Sequence, residues 1–378
     1  MRWNFILSGF LFLLTGSYLD TARGVLIPVL AQVFSLNYSQ SSLFLAGGNF
    51  GSILITLLLI PITQRYSEKR VALGICTLAI FTSLVASQIT NFSALLFFAV
   101  ALGCTVSLMG AVSNLLVIHG TDSNHRARAM CGLHTMYGYG SLLAPAIAGG
   151  ILEKGYPWHL PIQIFFPVVL ALGIFVFVKL PKEEPHLVRV KQSAKLSPFQ
   201  IFILFSFGLY VASEVLISMW MEAFLVEHMK LSIAQSAQYV TGFFFMMGTS
   251  RFLCFFGMSE KWEKIILLGA PLLCAFFFFL GHRGFLLGFS LAGVIGPLFP
   301  IFLTRAGRIF PTQTSALTIW ILTSMQISLV ISHLTVGGLS DKFGIEKAYW
   351  LPGILMVFMS GVCFLFLRAE RLILQNEK

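Results

Sequence analysis

Charge is what this sequence has least of. Asp, Glu, Lys and Arg make up 11% of its 378 residues, where a soluble domain carries about a quarter. Too few charges remain to coat a globular surface. With 57% hydrophobic residues and a mean hydropathy of +0.86, the chain is read as a polytopic membrane protein. Other absences narrow the class. No Gly-x-x-x-x-Gly-Lys-Ser/Thr run occurs, which argues against transport driven by an ATPase of its own. No His-Glu-x-x-His or Cys-x-x-Cys occurs, so neither a metal, a cofactor nor enzymatic activity is expected. The six cysteines, Cys76, Cys104, Cys131, Cys254, Cys274 and Cys363, stand singly in apolar runs and read as small packing residues. The net charge of +10 has a simpler source than nucleic-acid binding, because the basic residues sit in the loops between apolar runs.

What is present is apolar length. Twelve spans are expected, at about 4–34, 41–63, 71–89, 92–118, 128–152, 159–180, 198–228, 233–257, 264–281, 284–304, 313–338 and 347–369. The first is too long for a signal-peptide core and lacks a convincing cleavage site, so it is read as a spanning helix. Basic residues divide unevenly between the loops. Eighteen lie on the side of the two termini and five on the other. This places both termini in the cytoplasm of a cytoplasmic (inner) membrane. The longest polar stretch, 181–197, separates six spans from six and reads as a solvated linker.

A repeat crosses that linker. Ala148-Gly149-Gly150-Ile151-Leu152-Glu153-Lys154 returns as Val336-Gly337-Gly338-Leu339-Ser340-Asp341-Lys342. Trp158-His159-Leu160-Pro161 likewise parallels Tyr349-Trp350-Leu351-Pro352. The shared order suggests two similar six-helix halves, 1–180 and 198–378, as in many secondary transporters.

These features resemble the major facilitator superfamily. Its usual loop signature after the second helix survives only as the basic residues of Gln64-Arg65-Tyr66-Ser67-Glu68-Lys69-Arg70. A narrower resemblance is to the fucose–proton symporter group of sugar transporters. It is carried by Leu26-Ile27-Pro28 with Phe34, Gly110-Ala111 and Gly120. In the second half it rests on Leu209-Tyr210-Val211, Tyr239-Val240-Thr241-Gly242, Arg251-Phe252, Phe299-Pro300-Ile301 and Gly338-Leu339-Ser340-Asp341. The resemblance implies an all-α membrane fold of twelve helices in two pseudo-symmetric halves, with a central cavity lined mainly by helices 1, 4, 7 and 10. It also implies a small polar, sugar-like solute moved by alternating access with protons. That group's acidic pair is not carried over. Its helix 1 position falls at Gly24, its helix 4 position at Met109, and no Asp or Glu lies between Phe92 and Ile118. The other readings are a proton-driven exporter of amphipathic compounds and a non-transporting membrane receptor of the same fold. A monomer in the lipid bilayer is expected.

Candidate site residues follow from polarity at membrane depth. An ionisable side chain there costs about 2.5–3.5 kcal/mol on insertion scales, so it marks a functional site by default. Asp20 and Arg23 sit near the middle of the first span, three residues apart and so on one helix face. Glu214 sits near the middle of the seventh. Asp20 and Glu214 are the proton-coupling candidates, with Arg23 as charge partner. Glu214 has no basic neighbour within a helical turn, which makes it the better proton carrier, and Asp20 the better fixed charge. Glu222 is expected nearer the surface and more solvated. Arg251 is expected to snorkel and to be structural. Amides and aromatic faces suit sugar hydroxyls and ring C–H groups, so Asn49, Asn114, His134, Tyr137, Gln238, Trp320 and Gln326 are the substrate-binding candidates.

Overall fold

A computed structural model describes residues 1–181, 196–255, 259–310 and 314–376. No strand occurs among them, and twelve helical spans do. They are α1 Trp3–Val33, α2 Tyr38–Arg65, α3 Glu68–Val85, α4 Phe92–Gly120, α5 Ser123–Glu153 and α6 Phe166–Lys179. The others are α7 Pro198–Glu227, α8 Ile233–Phe255, α9 Glu260–His282, α10 Leu298–Ile309, α11 Thr314–Phe343 and α12 Leu351–Asn376. Helix is what an apolar chain must form in lipid, because it satisfies every backbone group within its own segment. Local signals set where the helices start. Asn37 with Gln40, and Ser197 with Gln200, form capping boxes at α2 and α7, and Pro198 follows the second cap. Asn91 and Asp122 cap α4 and α5 by accepting from the backbone N–H of Ala94 and His125.

Ten of these spans are long and apolar enough to cross a membrane. The two below that threshold, α5 and α8, pack against each other, so their less apolar faces meet protein. Three expected spans are interrupted. A short turn, Leu160–Gln163, precedes α6, and another, Ile345–Ala348, precedes α12. The tenth span breaks into Leu287–Leu291, a 3-10 turn at Ala292–Ile295, and α10. Pro297 has no N–H to continue the ladder. Gly293 and Gly296 sit so close to the backbone of α8 that an added Cβ would fall 2.1 and 2.5 Å from its Phe243 and Met247 oxygens.

Among the first six helices, α1 packs on α4 and α5, α2 on α4, and α3 on α4 and α6. Among the second six, α7 packs on α11 and α12, and α9 on α12. The two sets meet where α1 touches α7, α2 touches α11 and α5 touches α8. Most of the stretch between them, 182–195, lies outside the described residues. At the ends nearest the termini each set has its own tie. In the first, Lys69 donates to Phe177 O (2.5 Å) and Leu180 O (2.7 Å) at the end of α6, and Glu68 pairs with His119. In the second, buried Arg305 binds Glu370 (2.6 Å) and Glu263 (2.7 Å), and Arg308 shares Glu263 (3.0 Å). Of the cysteines, Cys76, Cys274 and Cys363 are buried free thiols, and Cys104 Sγ lies 3.3 Å from Gly51 O. The side chains of Cys131 and Cys254 lie outside those described.

Candidate functional site

Three helices bring ionisable groups to mid-depth. On α1, Arg23 lies one turn after Asp20. Its Nε donates to the Asp20 carbonyl (3.1 Å) and its Nη2 to the Asp20 carboxylate. Arg23 is 5% exposed, and its Nη1 has no hydrogen-bond partner. That nitrogen rests against Gly48 of α2, where any Cβ would collide with it. On α7, Glu214 accepts a hydrogen bond from Tyr210, one turn earlier. Arg251 on α8 reaches the same carboxylate, with Nη2 at 3.4 Å from both oxygens. Its Nε donates to Gly296 O at 2.9 Å, a carbonyl left free by the break in the tenth span. Its guanidinium also lies over the Phe299 ring, at 5.7 Å from the centroid.

Each set of six helices therefore contributes one acid–arginine pair, and α1 packs on α7 between them. Tyr137 on α5 bridges the two electrostatically, being in range of Asp20 on one side and of Glu214 and Arg251 on the other. His134, one turn earlier on α5, is in range of Arg251 and stays exposed. His333 on α11 is buried, within range of Arg23, and accepts a hydrogen bond from Trp220 Nε1 (3.1 Å).

Several expectations change here. Glu214 does have a basic neighbour, on α8 rather than on its own helix, so it is not distinguished from Asp20 by lack of a cation. Arg251 does not snorkel to the surface; it turns inward to Glu214 and Gly296. Glu222 is not solvated but fully buried. Of the neutral candidates, Tyr137 and His134 fall beside the charged pairs. Asn49 is buried next to Gly48, against which Arg23 Nη1 rests. Asn114 spends its amide on Gly110 O of its own helix (2.7 Å). Gln326 keeps a buried Oε1 without a partner. Gln238 and Trp320 are exposed, and no described hydrogen bond joins them to the central pairs. His333 is not among the sequence candidates, although a histidine inside a span carries the same signal as Asp20.

At the end away from the termini the two sets are tied directly. Asp341, at the end of α11, accepts from the first backbone N–H groups of α2, Tyr38 and Ser39, at 2.9 Å each. Glu153, at the end of α5, accepts from Ala234 N at the start of α8 at 3.0 Å. Tyr38 also donates its hydroxyl to Glu227 of α7. The two acids are the equivalent positions of the sequence repeat, each capping the first turn of a helix in the opposite set. The repeat's first glycines let the helices close. A Cβ on Gly149 would sit 2.4 Å from that of Ala237, and one on Gly337 would sit 2.4 Å from that of Ser42.

A two-fold helical array with charged pairs on facing helices, a break in the tenth span and one end clamped shut is the build of a membrane transport protein. Residues 5–282 match the Major Facilitator Superfamily, and the chain belongs to it. It is thus a secondary-transporter fold and not an enzyme. It is 20% identical over 365 residues to the protein TsgA homolog of Buchnera aphidicola subsp. Baizongia pistaciae, covering 93% of this chain and 92% of that one. Among solved structures it resembles the D-xylose–proton symporter, with a TM-score of 0.79 at 13% identity, covering 96% of this chain and 97% of that one. It also resembles the E. coli fucose–proton symporter, with a TM-score of 0.67 at 18% identity over 97% and 98% of the two chains. At these identities the structures share the fold.

Proposed function

We propose that the chain moves a small polar, sugar-like solute across the cytoplasmic membrane by alternating access, coupled to protons. The halves 1–180 and 198–378 are the two moving bodies, with both termini on the cytoplasmic side. The observation that carries this reading is the pairing of Asp20 with Arg23 and of Glu214 with Arg251 on facing helices of the two halves, with Tyr137 between them. A hydroxyl-rich solute can accept from the guanidinium groups and donate to the carboxylates. Arg23 Nη1 is a buried donor still without a partner, and such a group costs about 1–3 kcal/mol until it is satisfied. A proton on either acid neutralises one pair and frees its arginine for the solute. Asp20 and Glu214 are thus the exchanging acids, with Arg23 and Arg251 as their switchable partners. Tyr137 and His134 supply the aromatic face and further hydrogen bonds, and Trp220 fixes the His333 ring within range of Arg23.

The outer closure supports the transport cycle. Caps from Glu153 and Asp341 hold the end away from the termini shut, while His134, Thr135 and Tyr139 of α5 stay exposed. We read this as the conformer open to the cytoplasm.

The test has two stages. A thermal-shift screen over sugars, polyols and lipophilic cations finds the solute, since saturation at a hundred times Kd raises stability by about 2.7 kcal/mol. Vesicle uptake of that solute, with and without an imposed pH gradient, then tests coupling. A sugar or polyol should stabilise the protein and accumulate only with the gradient. Stabilisation by lipophilic cations alone, with outward movement, would replace this reading with that of an exporter.

A further inference from the structure

One ionisable group at membrane depth takes no part in the central site. Glu222 lies about 12 Å further along α7 than Glu214, at 1.5 Å per residue. It is fully buried, and no cation among the described residues pairs with it. Its Oε2 is hydrogen-bonded to Ser236 Oγ of α8, and its Oε1 has no partner. The same Ser236 Oγ is hydrogen-bonded to Ile233 O at 2.9 Å.

A count of hydrogens decides what Glu222 is. A serine hydroxyl has one hydrogen, a carbonyl only accepts, and an ionised carboxylate only accepts. Ser236 cannot donate to both. All contacts are satisfied if Ser236 donates to Ile233 O and Glu222, as a neutral acid, donates its own hydrogen to Ser236 Oγ. The bare Oε1 is then a neutral carbonyl oxygen, which is cheaper to leave dry than half of a charge. An ionised carboxylate at this place would be buried, uncompensated and short of a donor.

Among the described residues the surroundings offer no counter-charge. From the approach to α12, Tyr349 comes within electrostatic range of Glu222, and its hydroxyl donates to Ile217 O (2.6 Å). From α9, His282 packs on the Tyr349 and Phe224 rings. On α7 itself Glu227 is engaged by Tyr38 of the other half, and His228 lies 3.9 Å from Glu346.

Ser236 belongs to the first turn of α8, the turn that the other half grips. Two residues earlier Ala234 N is capped by Glu153, and one residue later Ala237 meets Gly149. We propose that Glu222 is a proton-binding site that locks the outer end of the transporter shut. The neutral acid holds the α8 first turn in the position that the Glu153 cap and Gly149 require. Loss of its proton to water leaves a charge that this packing cannot hold, so the outer end opens and hydrates it. This goes beyond the transport reading and is independent of which solute is moved.

The sign follows. The closed outer end binds the extra proton, so it is favoured at low pH and lost as pH rises. A one-proton linkage changes the closed-to-open ratio by about tenfold per pH unit within its range. The other carboxylates at this end are Glu153, Asp341 and Glu227. They accept hydrogen bonds across the two sets of helices and hold the same closure by geometry.

The experiment is a spin-label distance measurement between Lys154→Cys at the end of α5 and Lys230→Cys before α8, on the full chain in lipid without solute. The native cysteines are replaced by alanine. The long-distance population should grow as pH is raised from mildly acidic to mildly alkaline. Glu222→Gln, which keeps the donor to Ser236 but cannot ionise, should stay closed throughout. Ser236→Ala should shift the ratio towards open several-fold at every pH. A Glu222→Gln protein that opens with pH as the unsubstituted one does would overturn the proposal. So would an absence of any pH response, an opening on acidification, or a Ser236→Ala protein indistinguishable from its parent.

Discussion

Glu214 and Glu222 lie on one helix, about two turns apart, and meet opposite surroundings. Glu214 faces the seam between the two sets of six helices, where Tyr210 and Arg251 bind it and its side chain is 13% exposed. Glu222 faces the interior behind the first turn of α8, with one hydroxyl for company and no cation among the described residues. Their own helix does not distinguish them. What differs is what the neighbouring helices present. A broken tenth span and an arginine turn one position into an ion-pair site. A serine and a carbonyl turn the other into a site for a neutral acid. The lesson is that the charge state of a membrane carboxyl is set across helices.

Removing one partner at a time separates the two acids. The largest effect is expected at the pair. Arg251→Gln strands Glu214 and should cost about 3 kcal/mol of stability, while the double variant Arg251→Gln with Glu214→Gln should recover most of it. Thermal denaturation in detergent checks this, and equal losses in both would mean that the two charges do not depend on each other. Arg23→Ala should likewise hurt more than the neutral pair Asp20→Asn with Arg23→Gln.

Next come the caps at the end away from the termini. Asp341→Asn and Glu153→Gln should each weaken closure there by about 1 kcal/mol, the usual worth of a helix cap. That is roughly a fivefold change in the closed-to-open ratio, read by the same distance measurement. Gly337→Val should act more strongly than either, because its side chain has no room beside Ser42.

Glu222→Gln should change stability by less than about 1 kcal/mol, since no opposite charge is stranded and the amide can donate to Ser236. A loss as large as that of Arg251→Gln would show that Glu222 is ion-paired after all. The smallest effect lies at the start of α5. The side-chain hydrogen bond from His125 holds the Asp122 carboxylate below its usual range. Its contribution is present at neutral pH and is lost as pH falls through that lowered value. Asp122→Ala should therefore lower Tm slightly at neutral pH and not at all in acid.

Much of the architecture is legible in the sequence. Apolar length located the spans, and the Ala148-to-Lys154 repeat contains residues that tie the two sets of helices together at the end away from the termini. Its meaning was not legible, because a cap that crosses from Asp341 to Tyr38 joins positions far apart in the chain. Asp20 and Arg23 were legible as a pair because they are one turn apart on one helix. Glu214 and Arg251 were not, because they meet only when α7 and α8 pack around the break at Gly296. Distance from the helix end suggested solvent for Glu222, but burial there depends on Ser236, Tyr349 and the closed end away from the termini. The buried Arg305, Glu263 and Glu370 network lay among residues that read as loop-flanking charges.

The contrast between the two acids is tested most directly by infrared spectroscopy of the carboxylic-acid carbonyl stretch in the purified protein at neutral pH. A protonated-acid band is expected that Glu222→Gln removes and that Glu214→Gln leaves in place. A band that survives in Glu222→Gln and disappears in Glu214→Gln would contradict that contrast.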